Sequence, residues 1–316
     1  MPNFPNRDAS GTPSERMVVV TVAGKLNDAA FQRAKKAAEF LADAEDEFTA
    51  NVVSLLPVDY ELFVQGILPA FPDVREHDGA VLCYLGDPNG GATYLGHLEP
   101  FMAWCRETHD YEDETDDDFY ARLAETHMRG FIEKTGREYV TMEVCVDGAV
   151  EGTLLIELFT DIAPKTCANF RAFALGEEEK TAGRTYEGCP VHRVVRDGWF
   201  QTGDVLEGNG LGVTSVYGDT FADETFKVRH DKPGVLAMAG AKKHSNGCQF
   251  YVAQAPLPFL DGRRVGFGRV VDGLGLMRKI NAEELTFAER PVRDVRIGKC
   301  ARFTAGAEDG ETVAEE

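Results

Sequence analysis

The first 135 residues carry apolar positions in two spacings that alternate along the chain. Residues 18–23 are a β-branched run typical of a buried strand. The apolar side chains between Phe31 and Leu41 recur on one face of a helix that Asn27 or Asp28 caps. The same patterns predict further strands at 51–56, 80–85 and 92–95, and helices at 59–68, 99–108 and 116–135. This β-α-β-α-β-β-α-α order is that of a small α/β domain.

The pattern changes near Glu138. Residues 140–146 alternate polar and apolar side chains, Asp147-Gly148 is a hairpin turn sequence, and 153–159 form the returning strand. Two convincing helices follow, at 164–175 and around 274–280, and the rest consists of short strands separated by glycine turns. This arrangement predicts a closed antiparallel β-barrel with the two helices over its open ends.

The fold class is therefore a multi-domain protein in which a small α/β domain precedes an antiparallel β-barrel. The patterns divide the 316 residues into a disordered polar arm at 1–16, the α/β domain at 17–136, the barrel domain at 137–304 and a disordered acidic tail at 305–316.

Charge and cysteine content narrow the function classes. With 33 basic and 53 acidic residues the net charge is −20, which disfavours binding to nucleic acid or to anionic lipid. Neither a membrane-spanning apolar run nor a secretory signal is present in the sequence. Seven scattered cysteines without a CxxC motif favour reduced thiols, so we expect a cytoplasmic protein.

Two short segments, 192–204 and 237–251, carry the candidate chemistry. They place Arg193, Gln201, Gln249 and several aromatic residues on strand-like stretches. Such side chains are suited to holding an extended, neutral peptide over an apolar pocket. They are not suited to cleaving it, because no activated nucleophile accompanies them.

The barrel domain resembles the cyclophilins, the peptidyl-prolyl cis-trans isomerases, over about residues 138–303. The motifs that carry the resemblance are Pro164-Lys-Thr-Cys-Ala-Asn-Phe170, His192-Arg193, Gln201-Thr-Gly-Asp204, Gly234-Val-Leu-Ala-Met238, Ser245-Asn-Gly-Cys-Gln-Phe-Tyr251, Leu260-Asp-Gly262 and Val265-Gly-Phe-Gly268. Gly198-Trp199 and the long N-terminal domain are similar to a divergent two-domain, isomerase-like subgroup.

The resemblance implies a function and a set of site residues. The protein would be a peptidyl-prolyl isomerase acting on X–Pro bonds of protein clients, with neither a cofactor nor a metal. Arg193 would stabilise the twisted amide and Gln201 would orient Arg193. The resemblance further implies peptide- and proline-binding roles for Trp199, Ala239, Gly240, Gln249, Phe250, Tyr251, Phe259, Leu260 and Arg264.

Five positions depart from the pattern of active relatives. Gly198-Trp199 stands where most have Phe-Met, Gly240 where they have Asn, Phe259 where many have Trp, and Arg264 where they have His. We therefore expect reduced isomerase activity and weak cyclosporin binding. The alternative is an inactive, peptide-binding scaffold within a cytoskeletal or ciliary assembly, the location that the subgroup implies.

Other motifs have competing explanations. Cys248 and His244 could form a nucleophile–base pair, but a structural thiol is favoured because no third group orients them. Gly208-Asn-Gly-Leu-Gly212 imitates a phosphate loop, but a flexible barrel loop is favoured because no helix follows.

The first domain loosely resembles glutaredoxin-like and thioredoxin-like modules in its element order. The place of their CxxC motif is taken by Asp28-Ala29-Ala30-Phe31, so we expect a docking module without redox activity. The acidic run at 112–118 is either a patch for a basic protein partner or a solvated helix start that favours the helix dipole.

Overall fold

The computed structural model describes residues 18–304, so the predicted arm at 1–16 and tail at 305–316 lie outside the described residues. The chain divides into two compact units, Met1–Met128 and Arg129–Glu316. This division falls inside the helix Asp117–Thr135, slightly before the boundary predicted at 136/137. Between residues 18 and 304, no helix is both long and apolar enough to cross a membrane.

The first unit has the predicted order of elements. They are β1 (Val18–Lys25), α1 (Ala29–Ala44), β2 (Phe48–Leu55), α2 (Pro57–Ile67), β3 (Val81–Leu85), β4 (Thr93–Gly96), α3 (Leu98–His109) and α4 (Asp117–Thr135). Helix α1 begins where the Asp28 carboxylate accepts a hydrogen bond of 2.8 Å from the Ala30 backbone N–H.

The first unit is built on a mixed sheet with the order β2-β1-β3-β4. Strand β1 runs parallel to β2 and antiparallel to β3, which in turn is antiparallel to β4. Val20 and Val22 of β1 pack with Phe31 of α1 and Phe101 of α3, all of them buried. The apolar side chains that alternate along β1 and those on one face of α1 therefore pack into one core.

From Glu138 to residue 304, the second unit carries eight strands and three α-helices. The strands are β5 (Glu138–Val146), β6 (Ala149–Leu158), β7 (Arg193–Val195), β8 (Trp199–Thr202), β9 (Val235–Met238), β10 (Phe250–Ala253), β11 (Gly266–Asp272) and β12 (Val295–Arg302). The helices are α5 (Pro164–Leu175), the single-turn α6 (Glu178–Thr181) and α7 (Leu274–Ala282). Asp147 and Gly148 form the β5–β6 turn with φ of 51° and 82°, as a two-residue hairpin requires.

The predicted closed barrel is not observed, because the eight strands form a curled, open antiparallel sheet with the order β12-β5-β6-β11-β9-β10-β8-β7. Strands β12 and β7 are its edges and do not pair with each other. Instead, the segment 188–191 just before β7 bridges to β12. Gly188 N–H donates to the Ile297 carbonyl and Val191 N–H to the Val295 carbonyl, each at 2.8 Å.

Aromatic side chains fill the interior of the curled sheet. Phe170 of α5 lies 5.0 Å from Phe250 and 5.2 Å from Phe267 between ring centroids. Tyr186 completes the cluster and donates its hydroxyl hydrogen to the Cys248 carbonyl at 2.8 Å. This interior is therefore a packed core of side chains, as is usual for a small curled sheet.

Candidate functional site

A cavity of about 800 Å³ lies on the outer face of the second unit. It brings together nine of the eleven site residues inferred from the sequence, which are Arg193, Trp199, Gln201, Ala239, Gly240, Gln249, Tyr251, Leu260 and Arg264. The sequence reasoning did not assign its other lining residues, among them Gly210, Gly212, Asp219, Lys242 and Ser245. We call this cavity the groove.

Phe250 is not a wall of the groove, contrary to the sequence inference. Side chains of a strand alternate between its two faces, so Tyr251 and Phe250 of β10 point in opposite directions. Tyr251 lines the groove, whereas Phe250 is fully buried between Phe170 and Tyr186 in the interior of the sheet.

Phe259 is also misplaced by the sequence inference. It lies in the single 3₁₀ turn Pro258–Leu260, and 58% of its surface is exposed. Its neighbour Leu260 lines the groove instead and packs against the apolar cluster that contains Tyr251 and Trp199. A tight turn sends successive side chains in different directions, so one residue faces the groove and the other faces solvent.

Trp199 and Tyr251 form the apolar wall of the groove. Their ring centroids are 5.9 Å apart. The Tyr251 hydroxyl hydrogen-bonds to Nε2 of the buried His230 at 2.8 Å, and His230 Nδ1 lies 3.0 Å from the Asp261 carboxylate. Hydrogen bonds from the His230 backbone and side chain lower the pKa of Asp261. The ionised Asp261 carboxylate accepts the hydrogen of His230 Nδ1, which leaves Nε2 as the acceptor for the Tyr251 hydroxyl. This chain of bonds fixes the tyrosine ring.

Arg193 is held by Glu289 rather than by Gln201. Arg193 and Gln201 are directly paired across β7 and β8, but Gln201 donates to the Gln249 side chain at 2.9 Å. The Arg193 Nε donates to the Glu289 carboxylate at 2.6 Å, and its guanidinium carbon lies 5.5 Å from the Trp199 ring centroid. The inferred orienting role of Gln201 is therefore wrong for this arrangement.

Glu289 is fixed beside β7 by its own backbone. It has a φ of 60°, its carbonyl accepts from Val194 N–H at 2.7 Å, and its N–H donates to the Thr286 carbonyl at 3.0 Å. Glu289 lies 96 residues after Arg193, so no local sequence motif indicates that the two side chains form an ion pair. Both side chains are 45% exposed, which places the ion pair at the rim of the groove.

Asp204 organises the glycine-rich segment that the sequence shows at 208–212. Its buried carboxylate accepts five backbone N–H bonds of 2.8–3.1 Å, from Leu206, Glu207, Asn209, Gly210 and Gly212. The N–H groups that would hold a phosphate in a phosphate loop are thus occupied by a carboxylate of the same chain.

Burial and hydrogen bonding act in opposite directions on Asp204. Burial by itself would raise the pKa, but the backbone donors, with Glu207 and Gly212 first among them, outweigh it and lower the pKa to about 2. Gln249 then connects this segment to the groove, because its amide donates to the carbonyls of Gly210 and Gly212 at 3.0 and 2.8 Å.

The surroundings of Gly240 leave little room for a side chain at this position. A Cβ at this position would lie 3.0 Å from the Ser245 carbonyl oxygen and 3.1 Å from its hydroxyl, closer than most real contacts. The Gly240 carbonyl accepts a hydrogen bond from Nη1 of Arg264. This backbone carbonyl of the groove therefore already has a partner within the chain.

Cys248 and His244 do not form a nucleophile–base pair. The Cys248 thiol is fully buried and, at 4.0 Å, its sulfur faces the Gly212 carbonyl; burial raises its pKa. His244 is half exposed, and its Nδ1 lies 3.2 Å from the Asp223 carboxylate. Within residues 18–304, no three His, Cys, Asp or Glu side chains are grouped so that they could hold a metal ion.

Comparison with known proteins agrees with this geometry. Residues 139–302 match the family described as cyclophilin type peptidyl-prolyl cis-trans isomerase/CLD. The chain is 32% identical over 305 residues to "Probable inactive peptidyl-prolyl cis-trans isomerase-like 6" of Homo sapiens, covering 94% of this chain and 96% of that protein. The mouse protein of the same name is 29% identical over 289 residues, covering 89% and 90%.

A further relative matches about half of the chain. "Peptidyl-prolyl cis-trans isomerase 11" of Caenorhabditis elegans is 42% identical over 165 residues, covering 52% of this chain and 90% of that protein. The likeness to the isomerase-like 6 proteins, in contrast, extends through both units. The chain therefore belongs to the cyclophilin-type peptidyl-prolyl cis-trans isomerases, as a divergent member that carries the family's isomerase domain in its second unit.

Proposed function

We propose that the groove binds X–Pro segments of protein clients and isomerises them at a reduced rate. The observation that carries the proposal is that Arg193 lines the same cavity as the apolar wall of Trp199, Tyr251 and Leu260. A proline ring fits such a wall, while a guanidinium beside it faces the prolyl amide.

The chemistry requires only differential binding. Rotation about a peptide bond meets a barrier of about 18–20 kcal/mol, because the twisted state loses the resonance between carbonyl and nitrogen. A cation directed at the prolyl nitrogen stabilises the lone pair that becomes localised there. A guanidinium carries a positive charge and offers a planar set of donors, as this task requires.

The reduced rate follows from the partner of Arg193. In the 2.6 Å pair with Glu289, the carboxylate offsets the positive field that the guanidinium exerts on a bound peptide. Gly198 leaves this part of the wall to Trp199 and Tyr251. The groove is therefore equipped to bind a proline, with a weaker electrostatic contribution to rotation.

Exchange NMR on a short Ala-Pro peptide tests the proposal. Wild-type protein should accelerate cis–trans exchange, Arg193→Ala should not, and Arg193→Lys should retain part of the rate because it keeps the charge without the planar donors. Thermal unfolding of the three proteins checks that the fold is retained. Equal rates for wild type and Arg193→Ala would remove Arg193 from the mechanism.

The second candidate is a scaffold that binds without turnover. The observation that favours it is the hydrogen bond between Arg264 and the Gly240 carbonyl, which occupies a peptide-binding group in the groove. Two relatives with full-length likeness are themselves named probable inactive. Peptide resonances that shift without faster exchange would favour this candidate, and a cytoskeletal or ciliary assembly would then be its proposed setting.

For the first unit we propose a docking role without thiol chemistry. The mixed β2-β1-β3-β4 sheet with α1 between two parallel strands supports the likeness to glutaredoxin-like modules. Its two cysteines, Cys83 and Cys105, are fully buried, and burial raises the pKa of both, that of Cys105 to about 12. Such thiols are neutral and shielded, so they do not attack disulfides.

The acidic run at 112–118 supports a basic partner only in part. Asp113 and Asp117 are already paired with Arg33 of α1, at 3.4 and 2.9 Å, and Asp113 also accepts from the Tyr120 hydroxyl at 2.7 Å. Glu112 is paired with Arg106 at 3.6 Å, so the exposed carboxylates left to face a partner are those of Glu114, Asp116 and Asp118. We propose a cytoplasmic setting, which is supported by the seven free cysteines of the chain.

A further inference from the structure

Arg264 brings a second guanidinium into the groove. It follows the turn at Leu260, where its backbone N–H donates to the Leu260 carbonyl at 3.1 Å. Its side chain then reaches the Gly240 carbonyl, so it joins two segments of the groove wall. The side chain is partly buried beside Tyr251.

The charge of Arg264 is not neutralised as that of Arg193 is. Among the described residues Arg264 pairs with no carboxylate, whereas the nearby Asp261 is engaged by His230 and Arg229. Lys242 also lines the groove, so the lining holds three cationic side chains, those of Arg193, Lys242 and Arg264, and one carboxylate, that of Asp219. In a chain with a net charge of −20, this lining is therefore net positive beside an apolar wall.

The Gly240 carbonyl is a backbone acceptor at the edge of the groove. An extended peptide that lies along such an edge donates its own N–H groups to acceptors of this kind. Arg264 competes for this acceptor, so a neutral peptide must either leave the bond intact or displace the guanidinium. A displaced guanidinium that finds no new partner is left partly buried and unpaired, which is unfavourable.

We propose that Arg264 selects X–Pro segments with an aspartate or glutamate directly beside the proline. The Arg264 guanidinium leaves the Gly240 carbonyl and binds the peptide carboxylate instead. The Gly240 carbonyl then accepts a hydrogen bond from a peptide N–H. The selection rests on the proposed function of the groove, and it names acidic peptides as its substrate class. Charge-assisted pairing of arginine with a carboxylate supplies the preference.

A pair of isosteric peptides tests this selection. Ac-Ala-Glu-Pro-Ala-NH₂ and Ac-Ala-Gln-Pro-Ala-NH₂ are titrated into the full chain, together with the pair that carries Glu or Gln after the proline. Binding is followed by the indole N–H signal of Trp199, which lines the groove. Wild type should bind the Glu peptide of at least one pair about tenfold more tightly, the lower range for a charge-assisted hydrogen bond.

Variants assign the preference to Arg264. Arg264→Leu should bind both peptides of a pair equally, and the Gln peptide more tightly than wild type does, because the Gly240 carbonyl is free. Arg264→Gln serves as a second variant if leucine disturbs the fold. Arg263→Leu removes the same charge from an exposed neighbouring position and should keep the wild-type preference.

The outcomes separate the two proposals. Equal affinities of wild type for Glu and Gln peptides in both pairs, or a preference that persists without Arg264, would overturn the selection while the groove stands. A preference lost equally in Arg263→Leu would also overturn it, since long-range charge would then be the cause. If no peptide shifts the Trp199 signal in any protein, the proposed function itself fails.

Discussion

Replacing Asp204 by asparagine should destabilise the second unit while its outline is retained. The carboxylate is 2% exposed and accepts two backbone N–H groups at Oδ1 and three at Oδ2. Asparagine has nearly the same shape but only one accepting oxygen. The asparagine NH₂ group would take the place of either Oδ1, with its two N–H donors, or Oδ2, with its three. The donors at that place would be left without an acceptor.

Two arguments give the magnitude. A buried donor that loses its partner costs about 1–3 kcal/mol, so the two or three donors left without an acceptor give a cost of at least about 2 kcal/mol. Independently, the pKa of about 2 against an ordinary 3.8 corresponds to about 2 kcal/mol of stability from the ionised form. We therefore expect Asp204→Asn to lower the free energy of unfolding by about 2–3 kcal/mol.

The two tryptophans of the chain make the assay specific to one unit. Trp104 lies in the first unit and Trp199 in the second, so urea unfolding of a Trp104→Phe protein reports the second unit by Trp199 fluorescence. A reporter in one unit is needed because two units do not unfold as a single two-state transition. Glu207→Gln is the control, since it removes one charge from an exposed position in the same segment.

The pH dependence provides a second readout. Because the folded pKa is lowered, Asp204 stabilises the protein above pH 3.8, and this contribution is lost as the pH falls through about 2. The difference between wild type and Asp204→Asn should therefore shrink on acidification. Equal stabilities of Asp204→Asn and Glu207→Gln at pH 7, or a difference that does not change with pH, would refute the role assigned to the carboxylate.

Three further predictions concern the groove and the first unit. Glu289→Gln should raise kcat/KM for an X–Pro peptide about threefold, in line with a surface ion pair, and a lower rate would instead make Glu289 a residue that positions Arg193. Cyclosporin should bind more weakly than to cyclophilins with tryptophan at the position of Phe259, and calorimetry should show tighter binding for Phe259→Trp, which regains an indole donor. Glutathione-dependent reduction of a disulfide substrate should be undetectable, because Cys83 and Cys105 are buried and neutral; a measurable rate abolished by Cys83→Ser would contradict the docking role.

Periodicity in the sequence determined much of the fold. The cap at Asp28, the turn at Asp147-Gly148 and the helix that begins at Pro164 depend on neighbouring residues alone, and all were predicted. Bridging of the open sheet by the segment 188–191 was not predicted, because it depends on bonds to β12 about one hundred positions away.

The site was predictable where motifs are local and unpredictable where the partner is distant. The motifs led to nine residues of one cavity. Phe250 was misplaced although the alternation of strand side chains assigns it to the face opposite Tyr251. Glu289 and the Arg264–Gly240 bond could not be inferred, since both join segments that only the folded chain brings together.

The place of β7 at the edge of the sheet has a consequence for how such a protein diverges. Its three residues carry Arg193 and pair on one side with β8 only, while Glu289, outside every strand, holds both the Val194 amide and the guanidinium. Substitutions or length changes around 284–291 can thus change the position of the Arg193 side chain without altering the aromatic interior. Related proteins that differ in this loop can then differ in how the arginine is held while the interior of the sheet stays the same.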